Sequence, residues 1–201
     1  WKARNWVVPR IFMSLIVPAE WAPHRAMWLG FPSHEELWVD NLEVAQGEVA
    51  ALARALAGPG REHVRLMTGS PQGEADARHL LGDVTGIEIV PGRFGDIWLR
   101  DTGPIFAQGP EGGLHAIGFQ FNGWGEKFLM DHDDEVAAQI ATAAGLPLTP
   151  CDFVMAAMRF KKASRQCYQS SRERDEKRRQ AGLCRCGMPA SSIRVMALES
   201  A

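Results

Sequence analysis

Apolar side chains recur at helical spacing between positions 33 and 60. Trp38, Leu42, Ala45, Val49, Leu52 and Leu56 stand at steps of four and three, one face of an amphipathic helix. Ser33-His34-Glu35-Glu36 ahead of it reads as a capping box, with Ser33 as N-cap and Glu36 three residues on; Gly58-Pro59-Gly60 closes the helix. On either side the period changes. Residues 14–17 and 27–31 are short apolar runs bounded by prolines, which predicts strands. Residues 63–68 alternate, with Val64 and Leu66 on one side, and residues 87–90 form a β-rich run closed by Pro91-Gly92. A short helix over 74–81, closed by Gly82, lies between them. Further on, Ile105-Phe106-Ala107 leads through a turn at 109–113 into a strand over 114–121, with Ile117, Phe119 and Phe121 sharing a face. Asp133 or Asp134 caps a helix running through Ala144, with Val136, Ile140 and Ala143 inward and Gly145 just beyond. Strands and helices alternate as β-β-α-β units without a sequence repeat of fixed period, which is an α/β pattern.

One stretch fits neither period: Gly95-Asp96-Ile97-Trp98-Leu99-Arg100-Asp101-Thr102-Gly103-Pro104-Ile105-Phe106. A buried strand would not carry Asp96, Arg100 and Asp101 beside Trp98, because each charge taken out of water must find a partner. A plain loop would not gather Ile97, Trp98, Leu99, Ile105 and Phe106. The mixture suits a cavity wall, where apolar groups set shape and a few polar groups set chemistry. A surface turn with a local Arg–Asp pair is the plainer alternative. A guanidinium is flat, cationic and rich in donors, so a carboxylate accepting two parallel hydrogen bonds is its natural receptor. An indole face adds a cation–π contact of roughly 0.5–2 kcal/mol. Asp101 and Trp98 can supply both.

Charge divides the chain. The 201 residues carry a net charge of −2 and 46% hydrophobic content, enough for one domain or two small ones. Up to Met155 the balance is −9; beyond it the balance is +7, and all seven tryptophans lie at or before Trp124. Such a switch marks a boundary. Residues 156–201 read as a divergent basic tail, poorly ordered, whose run from Arg172 to Arg179 has no apolar face. Apart from Phe160 and Tyr168 the basic residues of 159–194 lack interleaved aromatics, so no nucleic-acid partner is expected. No apolar run approaches the roughly 20 residues that span a bilayer, so no membrane partner is expected either. Met13 is the first methionine, and residues 1–12 read as an extraneous extension. With no secretory signal ahead of Cys151, Cys167, Cys184 and Cys186, a reducing cytoplasm is the default. Cys184 and Cys186 stand one residue apart with no suitably placed histidine, so no metal is expected.

Trp98 to Pro104 matches the pattern W-x-R-D-x-G-P and resembles the agmatine deiminases and related bacterial-type peptidylarginine deiminases. Two further stretches agree in order and spacing: Pro18-Ala19-Glu20-Trp21-Ala22-Pro23-His24-Arg25-Ala26-Met27-Trp28 and Phe121-Asn122-Gly123-Trp124-Gly125-Glu126-Lys127-Phe128. The resemblance covers about residues 13–155. It implies an α/β propeller of five ββαβ modules around a central pocket, of which 13–155 provide about two, leaving an unpaired flank. It implies hydrolytic deimination without cofactor: a cysteine thiolate attacks the guanidinium carbon, ammonia leaves, and water resolves the intermediate to a ureido product. The implied substrate is a small guanidinium molecule, agmatine, converted to N-carbamoylputrescine for putrescine biosynthesis; peptidyl or free arginine is the alternative. A homo-oligomer is compatible with it. Asp101 is then the catalytic carboxylate that holds the guanidinium, Trp98 lines the pocket, Trp124 borders it, and Asp96 and Arg100 support the loop; His24 is structural.

The family continues with an E-G-G segment, a histidine, a second aspartate and a late cysteine. Here Ala156-Ala157-Met158-Arg159 follows the strand instead, and the tail cysteines match no family site. Cys151 reads as a small buried residue. The expectation is therefore a guanidinium receptor without its nucleophile, a truncated or non-catalytic remnant, with a shifted reading frame or a foreign segment after Met155.

Overall fold

Three apolar runs, each ending in a polar or glycine-containing turn, fold as parallel strands. The computed structural model describes residues 15–154 and the backbone of Met196–Ser200. In it β1 (His24–Phe31) pairs in parallel with β2 (Val64–Thr68), and β2 with β3 (Ile87–Pro91). The crossovers are helical. Between β1 and β2 run α1 (Glu35–Trp38), a 3-10 turn at Val39–Asn41 and α2 (Leu42–Ala57); between β2 and β3 runs α3 (Pro71–Leu81).

Strands covered on both sides are apolar throughout rather than alternating, and every β1 residue from Ala26 to Phe31 is buried. Leu29 and Phe31 meet Val64 and Leu66, and with them pack under Val49 and Ala53 of α2 and Ala77 and Leu81 of α3. Trp28 packs in a separate cluster with Met67, Phe94, Ile97, Leu99 and Phe106. That second cluster joins the parallel sheet to the rest of the chain.

The remainder begins with α4 (Leu99–Thr102) and β4 (Ile105–Gln108), which pairs antiparallel with β5 (Leu114–Gln120). After α5 (Gly123–Glu126) and a 3-10 turn at Asp133–Glu135, α6 (Val136–Ala144) carries the chain to β6 (Leu148–Val154), parallel to β5. The two sheets have the orders β3-β2-β1-β7 and β4-β5-β6, where β7 (Met196–Ser200) lies antiparallel to β1 with Met27 opposite Leu198. The architecture is α/β.

Several local expectations are corrected. Of the strand expected over 14–17, the described residues 15–17 form none: Ile16 makes one isolated bridge to Gln108. Ser33 caps nothing; its hydroxyl donates to Phe31 O at 2.7 Å and accepts from Gly69 N at 3.0 Å, tying the ends of β1 and β2 together. The helix expected from 33 to 57 breaks at Val39, whose φ of 48° is not helical. Ala143 is exposed, and α6 buries Val136, Ala137, Ile140 and Ala141 instead. The poorly ordered tail does not extend to Met196–Ser200, which joins the sheet beside β1. The other readings made on residues 1–14 and 155–195 fall outside the described residues.

The α3 helix starts three residues before its expected position because Ser70 is a working N-cap. Its hydroxyl accepts from Gly73 N at 3.1 Å and donates to Ser33 O at 2.9 Å. Ser70→Ala removes both bonds and is expected to cost about 1–2 kcal/mol. Urea unfolding followed by circular dichroism checks this; an unchanged midpoint would rule out the cap.

Candidate functional site

The stretch that fits neither period is a clamped loop followed by one helical turn. Residues 95–98 are irregular, and α4 then buries Leu99, Asp101 and Thr102 while Arg100 stays half-exposed. The helical turn, rather than an extended alternation, puts Asp101 inward. Its residue is 7% exposed, on the same turn as Trp98, whose carbonyl accepts from Asp101 N at 2.9 Å.

Asp96 is occupied locally. One carboxylate oxygen accepts from Ile97 N at 2.7 Å and the other from the indole Nε1–H of Trp98. Trp98 is half-buried, its ring tethered by that bond. Arg100 reaches across 80 positions to Glu20, with Nη1 donating to Oε1 at 2.6 Å. This pair links Pro18–Trp28, the first stretch of the resemblance, to the second.

Trp124 sits in the turn of α5 with a φ of 55° between Gly123 and Gly125. It packs edge-on against Phe121, with ring centroids 5.1 Å apart, and against Phe128 at 6.2 Å. Asn122 holds the turn by accepting from Gly125 N at 3.0 Å.

The cavities lie elsewhere. A cleft of about 700 Å³ opens at the C-terminal ends of β1, β2 and β3, between His34, Ser70, Glu74, Arg93 and Asp131. A smaller one of about 190 Å³ lies beside the α5 turn, between Phe121, Gly123, Phe128 and Asp133. Trp98, Asp101 and Trp124 line neither of these two.

Sequence reasoning assigned Asp133 only to a helix cap, and α6 receives no side-chain cap. Asp133 is 2% exposed, and its Oδ1 accepts from Gly95 N at 2.8 Å and Asp96 N at 3.3 Å. Burial raises its carboxyl above the ordinary aspartate range, against the lowering effect of those two N–H donors. Cys151 is buried at 8% exposure, as a small apolar residue would be, and burial pushes its thiol up, away from the thiolate form. Among the described residues no group of three or more His, Cys, Asp or Glu is placed to hold a metal, and no helix is long and apolar enough to cross a membrane.

The fold is that of solved deiminases. The agmatine deiminase of Enterococcus faecalis superposes with a TM-score of 0.65 at 24% identity, covering 73% of this chain and 40% of that one. The C. jejuni agmatine deiminase solved with substrate bound gives 0.62 at 23% identity, covering 71% and 41%. In sequence, the agmatine deiminase of Stutzerimonas stutzeri is 39% identical over 129 residues, 62% of this chain and 34% of its own length. That of Pseudomonas aeruginosa (strain LESB58) is 35% identical, also over 129 residues, 62% of this chain and 34% of its own length. The chain belongs to the Porphyromonas-type peptidyl-arginine deiminase family, whose model matches residues 16–157. It spans about a third of the length of these two curated relatives.

Proposed function

We propose that the chain carries the guanidinium-receiving part of an agmatine deiminase-like hydrolase, in which Asp101 holds the substrate cation and Trp98 and Trp124 shape its surroundings. The observation that carries this is the burial of Asp101 on one helical turn with Trp98, inside a chain whose curated relatives are agmatine deiminases. A carboxylate in a low-dielectric setting attracts a guanidinium more strongly than one in water. Asp96 and Arg100 hold the turn through Trp98 and Glu20. In the complete enzyme the product is N-carbamoylputrescine with release of ammonia, a step towards putrescine, on a five-module propeller. The order β4, β5, α6, β6, antiparallel then parallel, is compatible with one ββαβ module.

A second reading, binding without turnover, is favoured by Ala156-Ala157-Met158-Arg159 standing where the resemblance implies an E-G-G segment. Asp101→Asn keeps the shape and removes the charge. Its affinity for agmatine by titration calorimetry is expected to fall about 10–100-fold, the worth of one charge-assisted hydrogen bond. No agmatine binding by the unsubstituted chain, or equal binding by the variant, would sink the proposal. A ureido-product assay on the same samples separates binding from turnover.

A further inference from the structure

We infer that Asp133 is a positioning residue for the Trp98 indole, acting through the backbone and carboxylate of Asp96; its bearing on ligand binding rests on the function proposed above. The hydrogen bonds run in one direction. Asp133 Oδ1 takes the N–H groups of Gly95 and Asp96, at 2.8 and 3.3 Å. Asp96 in turn takes Ile97 N–H with one oxygen and the Trp98 indole N–H with the other. Rotating the Gly95–Asp96 peptides would therefore swing the Asp96 carboxylate and release the ring.

Nothing local fixes those peptides, since residues 95–98 belong to no helix or strand. Holding each such residue in one conformation works against its backbone entropy. The fixing is tertiary on four sides. Gly30 of β1 faces Ile97 so closely that an added Cβ would lie 2.8 Å from its Cα and O. Gly95 leaves equally little room against the Met130 side chain. Asp133 supplies a polar contact on the N–H side, and His34 supplies another on the carbonyl side of the Phe94–Gly95 peptide, with Nε2 donating to Phe94 O at 2.7 Å. A buried carboxylate costs free energy unless its oxygens are satisfied, and the bonds found for this one go to the loop rather than to the start of α6, the helix that follows it.

The test is the indole Nε1–H resonance of Trp98 in the full 201-residue chain, identified by its loss in Trp98→Phe. In Asp133→Ala the peak is expected to move towards the free-indole position, with its hydrogen-exchange protection falling at least ~10-fold. Asp133→Asn retains an acceptor oxygen and is expected to keep the original peak. Asp133→Glu keeps the charge but moves the oxygens by one methylene, and is expected to shift it. That variant carries the test should Asp133→Ala fail to fold. An indole peak unmoved in both Asp133→Ala and Asp133→Glu overturns the inference, whatever their melting temperatures. Agmatine affinity is expected to fall ~10-fold in Asp133→Ala. A chain whose indole responds as stated but which binds no agmatine refutes the proposed function and leaves the positioning role standing.

Discussion

Trp28→Ala is expected to lower the unfolding free energy by about 3–5 kcal/mol, the range for truncating a fully buried large aromatic. Trp28 is 0% exposed on β1, a strand with partners on both edges. Its cluster gathers Met67 from the parallel sheet, Phe94, Ile97 and Leu99 from the site loop and α4, and Phe106 from the second sheet. The cluster around this ring thus draws on all three parts of the fold. The Arg65 guanidinium lies 5.4 Å from its centroid, adding a contact worth about 0.5–1 kcal/mol. The cavity left by alanine has little scope to collapse, since Gly30 and Ile97 are already in contact beside it. Small domains are stable by only about 5–15 kcal/mol, so this single change removes a large share. Trp21→Ala is the control: Trp21 is 76% exposed, and its loss should stay within about 0.5 kcal/mol. Urea unfolding of both variants, followed by far-ultraviolet circular dichroism, checks the contrast; equal midpoints would mean that Trp28 is not in the core.

Periodicity revealed the elements whose partners are repetitive. Ala45 and Val49 are buried on α2, and Val64 and Leu66 on β2, because helical and strand spacing alone decides which side chains share a face. Local motifs failed where a distant group competed for the same atom. The Ser33 hydroxyl could cap a helix three residues on, but Gly69 N and Phe31 O reach it first. Asp133 resembled a cap for the same reason and is bound 38 and 37 positions away instead. The acid–indole contact from Asp96 to Trp98 spans two residues and is nearly readable from the chain. Which of Asp96 and Asp101 turns inward was not readable, because an extended chain and a helical turn give opposite answers. The turn of α4 decides for Asp101, and the Arg100–Glu20 pair, 80 positions apart, has no signal in spacing at all.

Gly123→Ala is expected to cost about 2–5 kcal/mol, the sum of a left-handed backbone penalty near 1–2 and an overpacking penalty near 1–3. Gly123 has a φ of +58°, where a side chain is strained, and it also lacks room. An added Cβ would overlap Phe128 O and lie 2.7 Å from Phe128 C and 3.1 Å from Leu129 N. These are backbone atoms, so no side-chain rotation relieves the clash. They are also held in place, since Lys127 N and Phe128 N both donate to Gly123 O, at 3.0 and 3.1 Å. The turn must open for the methyl to fit, and Trp124, packed between Phe121 and Phe128, moves with it. Gly125→Ala isolates the backbone part of the cost. Its φ is +85°, yet nothing lies within 4 Å of the added Cβ, so only about 1–2 kcal/mol is expected. Unfolding midpoints give the two energies, and near-ultraviolet circular dichroism gives the tryptophan environment. A Gly123 variant no worse than the Gly125 variant, with an unchanged aromatic signal, would show that the turn has slack and that Trp124 is not held by it.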